Sequence, residues 1–230
     1  MRILLAMLVV AFGALLGTAA AQAADLPQYP DVEVPTVDYG LQGGFYLRGS
    51  AGFNTLWSQE HVSACGCVLP PKTAGYGYSL GAGFGYETGT GLRVDATLDY
   101  LQNDGLTDGT NTLHLRSAVG LANAYYDFPL SGGGSAGGGF GAYVGAGLGA
   151  AWYHTHVTPV NAALPDGNGW TPAAAAMAGV TYDAGTWVAD LGYRLIYMPK
   201  ISNYNTTGPS FYLNDNTVQE IRGTVRYRFN

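Results

Sequence analysis

The chain has 230 residues, 11% of them charged, with ten Lys and Arg against sixteen Asp and Glu for a formal charge of −6. Ordinary soluble domains carry about 25% charge, and net acidity argues against nucleic acid as a partner. Glycine (35) and tyrosine (17) are abundant. Beyond the N-terminal segment no stretch approaches the roughly 18 apolar residues of a membrane helix, which leaves a soluble β-protein or a membrane β-barrel.

In chain order, Met1-Arg2 is a short cationic start, Ile3 to Leu16 an apolar stretch, and Ala21-Gln22-Ala23 a small-x-small cleavage site. That is the layout of a secretory signal peptide over 1–23. Residues 24–42 hold Pro27, Pro30 and Pro35 among Asp25, Asp31, Glu33 and Asp38, so they read as an extended acidic arm facing the periplasm. From 43 to 230 eight segments alternate with period two: 45–54, 76–87, 91–101, 113–126, 140–153, 171–182, 187–197 and 218–229. Their lengths suit strands crossing a bilayer at a tilt. The connectors 88–90 and 183–186 are tight turns and 127–139 is a Gly-Ser-rich one, whereas 55–75, 102–112, 154–170 and 198–217 are long. Short turns on one rim and long loops on the other predict an all-β fold, an eight-stranded antiparallel up-and-down transmembrane barrel of outer-membrane type. An even strand count puts both ends in the periplasm and the long loops outside the cell.

The faces follow from parity. Leu92, Val94, Ala96, Leu98 and Tyr100 oppose Arg93, Asp95, Thr97 and Asp99; Ile221, Gly223, Val225, Tyr227 and Phe229 oppose Arg222, Thr224, Arg226 and Arg228. Strands without Lys that mix Arg with carboxylates suit an enclosed network, so the charged face is assigned to the lumen. Seven arginines are placed there (Arg48, Arg93, Arg116, Arg194, Arg222, Arg226, Arg228) with five carboxylates (Glu87, Asp95, Asp99, Asp190, Glu220). Gly77, Gly81, Gly83 and Gly85 line one lumenal stretch and Gly141, Gly145, Gly147 and Gly149 another, with Ala118, Gly120 and Ala122 extending the bare wall. Two readings of that wall are open: room for arginines crossing a lumen just wide enough for side chains, or a water-filled slot.

Catalytic chemistry is not expected. His154 and His156 share one side of a strand, but a metal needs more ligands. The histidines at 61, 114, 154 and 156 do not resemble the Ser-His pair of barrel enzymes that modify lipid A. No phosphate-binding glycine motif is present. No cofactor and no metal is expected, and the chain reads as a non-enzyme. Cys65 and Cys67 flank one glycine in a predicted loop. A loop disulfide ranks first, though so small a ring is strained; a free or partner-linked pair comes second and metal third.

Gly44-Phe45-Tyr46-Leu47-Arg48-Gly49, Gly81-Ala82-Gly83-Phe84-Gly85-Tyr86, Leu92-Arg93-Val94-Asp95 and Ala122-Asn123-Ala124-Tyr125-Tyr126-Asp127 occur in series. Tyr143-Val144-Gly145-Ala146-Gly147-Leu148-Gly149, Leu191-Gly192-Tyr193-Arg194 and Val225-Arg226-Tyr227-Arg228-Phe229 follow them. In this order, together with Ala24-Asp25-Leu26-Pro27, they resemble the small porin-like outer-membrane proteins of alphaproteobacteria, relatives of the OmpA transmembrane domain. The resemblance covers nearly all of the chain after the signal peptide. It implies an eight-stranded barrel, assembly by the barrel insertion machinery, and an abundant surface protein supporting envelope integrity. Val225, Tyr227 and Phe229 then look like the C-terminal insertion signal, with Asn230 departing from a terminal aromatic.

The leading expectation is a structural surface barrel in outer-membrane lipid and lipopolysaccharide, whose loops meet host or other surface ligands. A narrow porin for small solutes is the alternative. A soluble lipocalin-like carrier, apolar inside and polar outside, stands third.

Overall fold

The computed structural model describes residues 43–58, 60–62, 68–69, 75–107, 112–130, 139–158, 166–202 and 212–229. The predicted signal peptide, the acidic arm and Cys65 with Cys67 lie outside them. Ten strands occur among the described residues: β1 (Gly44–Trp57), β2 (Glu60–Val62), β3 (Val68–Leu69), β4 (Gly75–Glu87), β5 (Leu92–Thr107), β6 (Thr112–Pro129), β7 (Gly139–Thr158), β8 (Gly167–Asp183), β9 (Trp187–Ser202) and β10 (Tyr212–Arg228). Each long strand pairs antiparallel with the next, and β1 closes the ring on β10 from Tyr46 opposite Arg228 to Trp57 opposite Thr217. Closure leaves the ring no edge strand. The short β2–β3 hairpin adds to β10 at the loop rim, with Val62 opposite Tyr212.

The tight turns follow from their residues. Gly89, Gly91 and Gly185 have φ of 79°, 87° and 87°, the left-handed region in which glycine carries no Cβ penalty. The Thr88 hydroxyl donates to the Leu92 carbonyl at 2.8 Å, and the Gly185 N–H donates to Asp183 at 2.8 Å. The Thr88 hydroxyl bond adds to the Thr88 N–H already donated to the same carbonyl at 2.9 Å, and the Asp183 side chain satisfies a backbone N–H of its own turn.

Parity sorts the faces. Phe45, Leu47, Phe53, Val94, Leu98, Leu148, Leu191, Ile221 and Val225 point outward, while Tyr46, Arg48, Arg93, Asp95, Asp99, Arg194, Arg222 and Arg226 are buried inside. At the turn rim the outward aromatics pack on one another: Phe45 on Phe84 at 5.4 Å, Phe140 on Tyr182 at 5.0 Å, Trp187 on Tyr227 at 4.9 Å. Along β9, outward Trp187 and Tyr197 bracket the apolar band. Their separation is about 33 Å along the strand at about 3.3 Å per residue, or about 25 Å along the normal at about 40° of tilt. That matches the apolar belt of an outer-membrane barrel.

Two features depart from the sequence reading. Most strands run past their predicted ends into the long loops; β7, for example, continues to Thr158. In β6 the inward residues are Leu113, Leu115, Ser117, Val119, Leu121, Asn123 and Tyr125, so Ala118, Gly120 and Ala122 face outward. The bare wall is therefore absent on β6. Both parities of this strand are small or aliphatic, and composition alone could not orient it.

Candidate functional site

The interior has two halves of different chemistry. Toward the turn rim, six inward arginines meet seven carboxylates among the described residues. At the rim Arg228 bridges Glu87 at 2.7 Å and Asp183 at 2.6 Å. Arg226 grips Asp190 with two nitrogens at 2.9 and 3.0 Å, pairs with Glu87, and donates to the Thr181 hydroxyl at 3.2 Å. Arg93 holds Asp127 in a two-pronged pair at 3.0 and 3.1 Å, its guanidinium 4.1 Å from the Tyr125 ring centre.

Arg48 pairs with Asp95 at 2.7 Å, and that carboxylate also accepts from Tyr46 at 2.9 Å and Asn123 at 2.7 Å. Farther up, Arg194 joins Asp99 at 2.6 Å to Glu220 at 2.7 Å. Arg222 reaches Asp99 at 3.1 Å and pairs with Ser50, while Ser79 donates to Glu220 at 2.9 Å. Buried charges survive when paired and further hydrogen-bonded; every arginine here has a carboxylate partner, while the Nε atoms of Arg48 and Arg222 are buried without a hydrogen bond. Parity of the strands made Arg48, Arg93, Arg194, Arg222, Arg226, Arg228, Glu87, Asp95, Asp99, Asp190 and Glu220 legible. Asp127 and Asp183 were missed because they sit where strand becomes turn.

Toward the loop rim aliphatic side chains dominate the interior, with Asn54, Asn103, Ser117, Thr155, Thr171 and Asn216 buried among them. Leu56, Leu101, Leu115, Val119, Leu121, Tyr153, Met177, Ile196, Met198, Ile201, Leu213 and Val218 form one buried cluster. Nothing in the alternation of charged strands announced this half. The glycines of the turn half serve neighbouring rings: a Cβ on Gly85 would lie 2.5 Å from Tyr46, on Gly145 2.3 Å from Tyr125, and on Gly192 2.1 Å from the Tyr143 hydroxyl. The space beside those three glycines is occupied by tyrosines.

Arg116 is the correction to the predicted network. It lies on the outward face of β6, a third of its side chain exposed, and pairs with Asp104 at 2.7 Å. His114 bonds the same carboxylate at 2.7 Å, His156 bonds Asp166 at 2.8 Å, and the register sets His114 opposite His156 and Arg116 opposite His154. A cation above the aromatic belt can face outward because its head is wet. No three His, Cys, Asp or Glu side chains converge as a metal set among the described residues.

Partial burial pushes the Asp104 carboxyl up, but hydrogen bonds from Arg116, Gln102 and His114 outweigh it and hold it at about 2. Since the folded value is depressed, the stability this group adds is present above about pH 4 and is lost as pH falls through its folded value. Arg116→Gln should move the Asp104 titration upward, read from its carboxyl-carbon signal. No movement would assign the effect to Gln102 and His114 instead.

Closure, the apolar girdled outside and the side-chain-filled inside define the class: an eight-stranded transmembrane barrel of outer-membrane type. The chain is similar to Neisserial surface protein A, NspA, at 21% identity and a TM-score of 0.53, over 80% of this chain and 97% of that one. It is also similar to OprG from Pseudomonas aeruginosa (20%, TM-score 0.46, 81% and 97%) and to Ail of Yersinia pestis (13%, 0.41, 80% and 98%). No family model and no curated relative matches the chain.

Proposed function

We propose that this chain is a structural barrel of the outer membrane, supporting the envelope and presenting its long loops outside the cell. The observation that carries the reading is the filled interior: ion pairs cross the turn half and packed aliphatic side chains occupy the loop half. Such an interior braces a wall and holds no reacting group apart from its partners, which favours structure over catalysis. The Phe229 N–H bonds the Phe45 carbonyl at 2.9 Å, so both barrel ends meet at the turn rim, in this reading the periplasmic one. Val225 and Tyr227 on β10 and Phe229 just beyond it face outward and serve as the signal read by the barrel insertion machinery. The rim group of His114, Arg116, His154 and His156 stands at the height of lipid headgroups, where lipopolysaccharide phosphates are the nearest partners. Surface ligands would meet the loops, and no cofactor is required.

The test is to express the full chain, isolate outer membranes, and compare heated with unheated samples on a gel. A band in that fraction whose migration shifts on heating is the expected result. A periplasmic product, soluble without detergent and showing no shift, would overturn the reading.

A further inference from the structure

At the loop rim a row of four side chains runs around the outer face of the barrel. Asp104 lies on β5, His114 on β6, His156 on β7 and Asp166 just before β8. The β6–β7 register sets the two histidines directly opposite each other.

The carboxylates hold the outer edges of the two rings. Asp104 bonds Nδ1 of His114 at 2.7 Å, and Asp166 bonds Nδ1 of His156 at 2.8 Å. Each Nδ1 is therefore turned away from the seam the histidines share, toward β5 in one case and toward β8 in the other. Nε2 of each ring is left on the side facing that seam. The His114 ring shows the direction, since its Nε2 lies 2.8 Å from the Thr158 hydroxyl of β7. A carboxylate on Nδ1–H fixes the tautomer with its lone pair on Nε2, the support that metal-ligating histidines receive.

The spacing suits one shared ion. With metal–nitrogen bonds of about 2.0–2.1 Å, two imidazole centres bound to one metal lie about 5–6.5 Å apart. The centres of His114 and His156 are 6.2 Å apart. Their side chains are 30% and 44% exposed, so an ion reaches them from water.

The charges agree. Arg116 pairs with Asp104 at 2.7 Å, and with both imidazoles neutral Asp104, Asp166 and Arg116 together leave one negative charge beside the ring pair. Imidazole donors suit zinc, copper and nickel, whereas magnesium and calcium take oxygen ligands. His154, two residues from His156 on the same face of β7, stands opposite Arg116 instead of opposite a histidine.

We infer that His114 and His156 form a surface site for one divalent transition-metal ion, zinc or copper, held across the β6–β7 seam. Water fills the remaining positions, so the site is open and exchanges its ion, unlike the closed four-ligand sets of structural zinc. It goes beyond the envelope role and needs only the folded barrel with its β6–β7 register.

The experiment refolds the full chain, without a histidine tag and in a Cys65→Ser, Cys67→Ser background, in a nonionic detergent. Zn²⁺ is titrated by calorimetry, and Cu²⁺ is added for electron paramagnetic resonance. One equivalent of each ion should bind, and the copper spectrum should show two equivalent imidazole nitrogens. His114→Ala and His156→Ala should each abolish the one-equivalent phase, while His154→Ala should leave it in place. Asp166→Asn, which removes the support of one ring, should weaken zinc about 10- to 100-fold.

The heat-modifiable band verifies the fold of every variant, and His114→Gln or His156→Gln reads the same loss where an alanine variant does not refold. A folded native chain that takes up no zinc in large molar excess would overturn the inference. So would binding that survives His114→Ala, or that is lost with His154→Ala, which would move the ligands to β7 alone. A chain with no heat-modifiable band would instead defeat the barrel reading.

Discussion

Arg226→Ala should destabilise the barrel by about 3–5 kcal/mol, the cost of leaving a buried carboxylate without its cation. Asp190 is the group exposed to that cost. It is buried, and Arg226 supplies both of its close nitrogens, at 2.9 and 3.0 Å. Glu87 is spared because Arg228 still reaches it at 2.7 Å. Pairing Arg226→Met with Asp190→Asn removes both charges at similar volume, and buried pairs replaced in this way are often neutral. The double variant should therefore recover most of the loss. Urea unfolding in lipid vesicles, followed by tryptophan fluorescence, reads both numbers. A single variant as stable as the native chain would mean that water reaches Asp190 and the interior is not sealed there.

Leu191→Arg should cost about 2–4 kcal/mol, the charge of an arginine brought near the bilayer midplane. Leu191 points outward with 59% of its surface exposed, and on β9 it lies between the girdle residues Trp187 and Tyr197. The control is Trp170→Arg on β8. Trp170 is 73% exposed and lies in the loop-side stretch of β8 above its last pairing with β9, where the expected cost is no more than about 1 kcal/mol. The same unfolding assay separates them. Equal costs at the two positions would remove the membrane from around the barrel and favour a soluble carrier.

How much of this could be read from the chain depends on the strand. In β5, β9 and β10 charged and apolar residues alternate, so one decision about parity oriented Arg93, Asp95, Asp99, Asp190, Arg194, Glu220, Arg222, Arg226 and Arg228 together. In β6 both faces are small or aliphatic, and Arg116 became the tie-breaker. It pointed the wrong way because a cation above the girdle is wet on the outside, a matter of height that period-two patterning does not encode. The structure buries Leu113, Leu115 and Leu121 inside instead of Ala118, Gly120 and Ala122.

The apolar loop half is assembled from β1, β5, β6, β8, β9 and β10, with β6 (Leu115, Val119, Leu121) and β9 (Ile196, Met198, Ile201) giving the most, and no single window shows it. Pro172 and Pro199 are visible in the sequence, but that the β8–β9 pairing stops two residues short of setting them opposite each other depends on the register between the two strands. Asp127 and Asp183 continue the inward parity of β6 and β8 to the turn-side ends of those strands, beyond or at the edge of the segments read from the sequence.

The closed interior is tested most directly by single-channel recording in planar bilayers, with insertion verified by the heat-modifiable band. A filled lumen should give quiet membranes at protein loads where open barrels conduct. Discrete steps of reproducible size from the native chain would contradict it and make this barrel a narrow porin.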